Sequence, residues 1–194
     1  MKHAIPRGRP RSDKAQRAIL KAALGLVAEI GFRALTMEAI AAQAGVGKMT
    51  IYRWWPNKAA VVMDAFLTLV GPGSAFPGAP TALISIKLQM RLQARFFQSN
   101  LGRTIKALLG EAQFDVELSE AFRERWIMPR RRLTKEVLGV AIQRGEVRAN
   151  IDIEMAIDML YAPIYYRFLL GTGAINDAYT DGLFEQVAKG LRVE

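Results

Sequence analysis

The 194-residue chain has no cysteine and only one histidine, His3. The first absence removes disulfides, thiolate metal sites and thiol nucleophiles together. The lone imidazole lies in a basic N-terminal stretch with no apolar periodicity, so it has no framework on which to build a catalytic or metal site. No alternating period-2 run marks a strand, and no glycine-rich phosphate loop follows one. Repeats and low-complexity runs are missing too, and the carboxylates are scattered without an inward-facing pair. An enzyme is not expected, and neither a cofactor nor a metal is implied. A long apolar run is also lacking. Residues Ala65 to Ile86 carry no charge, but Gly71, Pro72, Gly73, Pro77, Gly78 and Pro80 break them up, which suits a helix end and a linker better than a membrane span. The first eleven residues have charge without an apolar segment behind it, unlike a secretory signal. The expectation is a soluble, cytoplasmic protein with no membrane partner.

Acidic residues are scarce at one end. Residues 1–58 hold 11 Lys/Arg against 3 Asp/Glu, whereas the rest hold 16 against 15, so nearly all of the net +9 sits in the first third. A compact basic segment joined to a balanced body fits a polyanion-binding head; a solubilising tail is the plainer alternative. Apolar residues make up 51% of the chain, enough for a core without covalent staples.

The pattern is helical throughout and predicts an all-α fold of about nine helices: an N-terminal three-helix helix-turn-helix domain and a larger C-terminal helical domain. Residues 1–11 read as a flexible basic arm, 12–57 as the helix-turn-helix domain and 58–194 as the second domain. Ser12 or Asp13 can cap a first helix whose Ile19, Leu20, Ala23, Leu24 and Val27 share a face, and Gly31 ends it. Thr36 caps a short second helix that Gly45 stops. A third runs from about Gly47 to Trp54, and a fourth from about Lys58 to Val70. Further helices are expected near 81–99, 102–114, 117–144, 153–170 and 177–192. Gly102, Gly145 and Gly171–Gly173 act as separators, and Pro129 and Pro163 kink or split their helices.

Two short helices around a glycine turn form a helix-turn-helix, whose second helix enters the major groove of double-stranded DNA. Ile51 and Trp55, four apart, face inward. Met49, Tyr52 and Arg53 face outward with Lys48 and Thr50 beside them, offering cations, hydroxyls and a flexible apolar group to phosphates and base edges. The stretch Leu35-Thr-Met-Glu-Ala-Ile-Ala-Ala-Gln-Ala-Gly-Val-Gly-Lys-Met-Thr-Ile-Tyr-Arg-Trp-Trp-Pro-Asn-Lys58 resembles the TetR family signature: a threonine cap, Ile-Ala, Ala-Gly-Val, Thr-Ile-Tyr, an aromatic three residues later, and a lysine opening the next helix. The match covers about residues 13–62. It implies that Thr36 caps its helix and meets a phosphate, that Lys48 and Met49 reach base edges, and that Thr50 and Tyr52 touch phosphate or the groove wall. Lys58 would hold another phosphate. Gly47 stands where the family commonly has serine. Trp54 replaces a frequent histidine or tyrosine, and its helical angle puts it nearer the buried face. Pro6-Arg7-Gly8-Arg9-Pro10 resembles an AT-hook core, so Arg7 and Arg9 either enter a narrow minor groove or belong to a basic tail without fixed contacts.

The resemblance further implies a homodimer on a palindromic DNA operator, repression as the commoner outcome, and a small-molecule effector held in the C-terminal domain. Met155 to Leu170 is apolar nearly all round, which calls for burial on more than one side. Met159, Ile164, Tyr165 and Phe168 on this helix, with Leu183, Phe184 and Val187 on the last, are expected at the dimer interface. Met63, Phe66, Met90, Phe96, Phe97, Phe114, Phe122 and Trp126 have the composition of an adaptable ligand pocket, which is also that of an ordinary core. The run Arg130-Arg131-Arg132 can draw an anionic effector or pair with Glu124 and Glu136. The competing reading of the whole chain is a helical adaptor whose basic head binds an acidic partner.

Overall fold

The computed structural model describes residues 13–70 and 76–192. They form ten α-helices, and among the described residues the only strand-like pairing is one isolated backbone bridge, Val147 to Arg192. Arg7 and Arg9 lie outside the described residues. No described helix is long and apolar enough to cross a membrane. The chain divides into two compact units, one ending at Leu69 and the other beginning at Val70.

The first unit contains α1 (Asp13–Ala34), α2 (Met37–Ala44), α3 (Lys48–Tyr52) and α4 (Lys58–Val70). Ile19, Leu20 and Ala23 of α1 are buried as their spacing requires, whereas Leu24 and Val27 are only half-buried. Gly31 interrupts α1 at φ 76°, ψ 165°, and one more turn runs to Ala34. A side chain at that φ would be strained, so the break needs glycine. The turn swings Phe32 and Leu35 into the core beside Ile40 and Ala41 of α2. Gly45 closes α2 at φ 65°, its N–H returning to the carbonyls of Ala41 and Ala42. The unit extends past the expected boundary at residue 57 because α4 is tied into it: the Trp55 Nε1 donates to Asp64 Oδ2 at 2.6 Å, and Lys58 Nζ donates to the carbonyl oxygens of Phe32 and Arg33 at 3.0 and 3.2 Å.

The second unit holds α5 (Ala82–Gln98), α6 (Asn100–Ala112), α7 (Val116–Phe122), α8 (Met128–Gln143), α9 (Ile153–Leu170) and α10 (Asp177–Leu191). Helix α5 packs against α6, α8, α9 and α10. Its N-terminus is capped twice. Thr81 Oγ1 accepts from Ile84 N at 3.1 Å, and the Glu146 carboxylate accepts from Ala82 N and Leu83 N at 3.1 and 3.0 Å. Both satisfy amides that have no partner within the helix, and the carboxylate adds favourable charge at its positive end. Along α5, Lys87, Arg91 and Arg95 pair with Glu185, Asp181 and Asp177 of the antiparallel α10. Both sets recur every four residues, which keeps all three pairs in register.

The glycine and proline expectations need correction at two points and hold at a third. Gly102 separates nothing. It lies buried inside the first turn of α6, and a Cβ there would fall 2.3 Å from the Phe97 carbonyl oxygen, so it permits a close approach of α5 to α6. Pro163 does not split α9, which runs unbroken to its cap at Gly171. Pro129 does mark a change: Arg123–Ile127 form one π-helical turn between α7 and α8. Proline has no N–H to return to Arg125, so the i→i+4 ladder cannot continue there, and the wider turn precedes it.

Candidate functional site

The recognition surface is built on α3, too short to be stable in isolation. Two buried side chains hold it from beneath: Ile51, fully buried, and Trp55, anchored through its indole N–H to Asp64 on α4. Thr36 Oγ1 accepts from Ala39 N at 3.1 Å, making the expected cap of α2. On the outer face Met49 is 77% exposed and Tyr52 41%, Lys48 and Arg53 are exposed, and Thr50 is half-buried. This is the division between inward and outward residues read from the spacing.

Lys48 is not free in this state. Its ammonium forms an ion pair with Glu38 on α2 and lies 5.7 Å from the Tyr52 ring centre. The hydrogen bond to Glu38 raises the lysine's pKa and holds the Glu38 carboxyl below its ordinary value. Sequence reasoning gave Glu38 no role; its place in the first turn of α2, ten residues before Lys48, is the signal that could have found the pair. Lys58 has a structural task, capping the end of α1 and lying 4.6 Å from the Phe32 ring centre. Trp54 is half-buried against Trp55, ring centres 5.4 Å apart, and among the described residues its indole N–H has no acceptor.

The second unit contains a half-open cavity of about 400 Å³. Its apolar wall includes Leu109, Phe122, Ile127, Ile157 and Ala162. Polar groups converge from α5, α8 and α9. Tyr161 Oη donates to Gln89 Oε1 at 2.8 Å, Trp126 Nε1 donates to Tyr165 Oη at 2.9 Å, and Gln93 and Thr134 line the same space. Burial pushes the Tyr161 and Tyr165 hydroxyls up from their ordinary pKa, keeping both protonated. The π-turn carries Arg123 and Ile127 to the cavity wall and Trp126 behind it.

Of the residues expected to line a pocket, only Phe122 borders this cavity. Trp126 packs beside it with Phe96 and Phe122, at centroid distances of 5.4 and 6.1 Å. Phe97 stacks on Phe168 at 4.0 Å, and Met90 is fully buried in the core. Met63 and Phe66 are core residues of the first unit, and Phe114 is 81% exposed. The expected interface also needs redrawing. Ile164, Phe168 and Phe184 are buried within the chain itself, and Tyr165 lines the cavity. Met159 is exposed, while Leu183 and Val187 are half-buried. The apolar residues α9 leaves outside are Met155, Met159, Tyr166, Leu169 and Leu170. Within the arginine run, Arg131 pairs across helices with Glu154 and Asp158 of α9 rather than with Glu124 or Glu136.

Residues 19–65 match the family described as bacterial regulatory proteins, tetR family, and residues 86–187 match the tetracyclin repressor-like C-terminal domain. The chain is 43% identical over 186 residues to an HTH-type transcriptional regulator, YdeS, of Bacillus subtilis, covering 96% of this chain and 94% of that one. It is 29% identical over 190 residues to the DNA-binding transcriptional repressor TetR of Mycobacteroides abscessus, covering 94% of each. Among solved structures, a TetR family transcription regulator superposes with a TM-score of 0.74 at 30% identity, covering 92% of this chain and 98% of that one. FadR of Bacillus subtilis, in complex with stearoyl-CoA, shares the fold at a TM-score of 0.67 and 22% identity, covering 90% of this chain and 98% of its own. The chain belongs to the TetR family of DNA-binding transcriptional regulators.

Proposed function

We propose that this regulator is a ligand-responsive repressor that binds a near-palindromic operator as a homodimer and leaves it when a small molecule occupies the second unit. The observation that carries the DNA half is the partition of α3: Ile51 buried, with Lys48, Met49, Tyr52 and Arg53 exposed above it. A rigidly supported polar surface of this size fits a major groove, and a symmetric dimer sets two such helices about one DNA turn apart. Lys48, Met49 and Arg53 address base edges; Thr36, Thr50, Tyr52 and Lys58 address phosphates. The outward residues of α9, with the half-buried Leu183 and Val187 of α10, supply the dimer seam. The cavity favours the ligand half, with polar groups converging on an apolar space large enough for a small molecule. The protein acts in the cytoplasm, where its operator is.

Fluorescence anisotropy on the DNA upstream of its own gene tests the reading. Lys48→Ala and Tyr52→Phe should each weaken binding about 5- to 150-fold if the contacts are direct. Full affinity in both variants would remove these assignments.

A further inference from the structure

The cavity wall carries four charged side chains: Arg123, Arg130, Arg131 and Asp158. Three have partners of opposite sign. Arg131 bridges Asp158 and Glu154, and Arg123 pairs with Glu124 at 3.1 Å. Arg130 differs. Among the described residues it meets no carboxylate. Its Nη1 donates to the Trp126 carbonyl at 2.9 Å, and its guanidinium carbon lies 3.4 Å from the Trp126 ring centre. Burial pushes its pKa down to about 10, so it remains a cation at neutral pH. A guanidinium has five N–H donors, and the described bonds use one. The groups near it, Tyr165, Thr134 and Gln93, are neutral and cannot balance its charge. The same lining includes the apolar Leu109, Phe122, Ile127 and Ile157. A partly desolvated cation held over an indole at the wall of a cavity with apolar sides is costly alone and is relieved by an anion carried into that cavity.

We infer that the effector is an amphipathic organic monoanion, a carboxylate on an aromatic or branched apolar body, whose charge is held by Arg130 and whose body fills the wall around Phe122, Ile127 and Ile157. This rests on the reading of the second unit as an effector domain. It explains why three arginines surround a cavity that needs only one of them for binding: Arg131 and Arg123 are already neutralised. The carboxylate takes the donors of Arg130 that the Trp126 carbonyl leaves, and the Tyr161 and Tyr165 hydroxyls beside it stay neutral and add no competing charge.

The test is calorimetric titration of the full-length protein with three acid and amide pairs: benzoate, 2-naphthoate and 4-phenylbutyrate against their carboxamides. Each pair keeps the apolar body and removes the charge. At least one acid should bind tenfold or more tightly than its amide. Arg130→Gln should abolish that preference while changing the amide's affinity less than threefold; Arg130→Lys should retain part of it, and Arg132→Gln all of it. Equal affinity of acid and amide for the unaltered protein, or no binding of any acid at millimolar concentration, overturns the inference without recourse to a variant. So does a preference that survives Arg130→Gln in protein whose circular dichroism is unchanged. Operator binding without additives, measured in parallel, separates the two readings. If DNA binds and no acid is preferred, the anion site alone falls; if no DNA binds, the regulator reading falls while the acid preference is still read.

Discussion

Because α3 is so short, its placement is set by what it rests on, and Trp55 is the most informative handle. The indole is buried, and its N–H reaches Asp64 at 2.6 Å. Trp55→Phe keeps an aromatic ring under the recognition helix and deletes that hydrogen bond. A bond to a charged acceptor contributes about 1.5–3 kcal/mol, and the smaller ring adds a modest packing loss. The expected destabilisation is about 2–4 kcal/mol, or roughly 4–12 °C in melting temperature for a chain of this size. A double-mutant cycle with Asp64→Ala isolates the pair. Thermal unfolding of the four proteins should give a coupling energy of about 1–2 kcal/mol. Operator affinity, measured well below the melting transition, should fall in the single variant because the α3 seat loosens. Additive single effects, with no coupling, would show that the indole merely fills space and that something else fixes the helix.

Three other outcomes follow from the same geometry. Glu38→Gln releases Lys48 and removes a carboxylate from the recognition face, so affinity for DNA of any sequence should rise several-fold and the salt dependence should steepen by up to about one counterion; unchanged affinity and slope would mean the pair is irrelevant to binding. Lys58→Ala should lower the melting temperature without DNA by about 2–6 °C, since two carbonyls of α1 lose their donor, whereas a residue serving only a phosphate would leave it unmoved. Hydrogen bonds from Arg95, Arg91 and Lys87 hold Asp177, Asp181 and Glu185 below their ordinary values near 3.8, 3.8 and 4.5. A depressed folded-state pKa contributes stability that is complete above the unfolded value and is lost as pH falls through the folded one. Melting temperature should therefore drop between about pH 5 and pH 3, less steeply in Asp177→Asn/Asp181→Asn/Glu185→Gln; parallel curves would refute the role of this ladder.

The helix-turn-helix was legible because each of its signals has a single physical cause. Thr36 precedes a helix and caps it; Gly45 follows one and takes φ 65°; Ile51 and Trp55 are four apart and both turn inward. The helices expected over 153–170 and 177–192 were equally plain, parted by Gly171–Gly173; the structure adds Asp152 and Asn176 as their N-caps. What periodicity cannot decide is which side of an all-round apolar helix meets its own core. In α9 the answer was Ile164 and Phe168 inward and Met155 and Tyr166 outward, although both sets are equally apolar. The partition is made by α5, α8 and α10 packing against it, information distributed over three other segments.

The cavity was misread for a related reason. Large apolar residues such as Met90 and Phe97 fill space, so their presence argues for packing, not for a void. The better marker was the opposite kind of residue. Gln89 and Gln93 fall four apart on the buried face of α5, and Thr134 on that of α8, where a close-packed core would place aliphatic side chains. Buried polar groups persist only where hydrogen-bond partners reach them, and here Tyr161 and the neighbouring cavity provide that setting. The π-turn works in the same sense: Pro129 prevents a regular helix, and the widened turn brings Arg123 and Ile127 to the wall, with the Trp126 carbonyl accepting from Arg130. Polar interruptions of an apolar face, together with a proline that forces an irregular turn, locate a cavity that hydrophobic composition conceals.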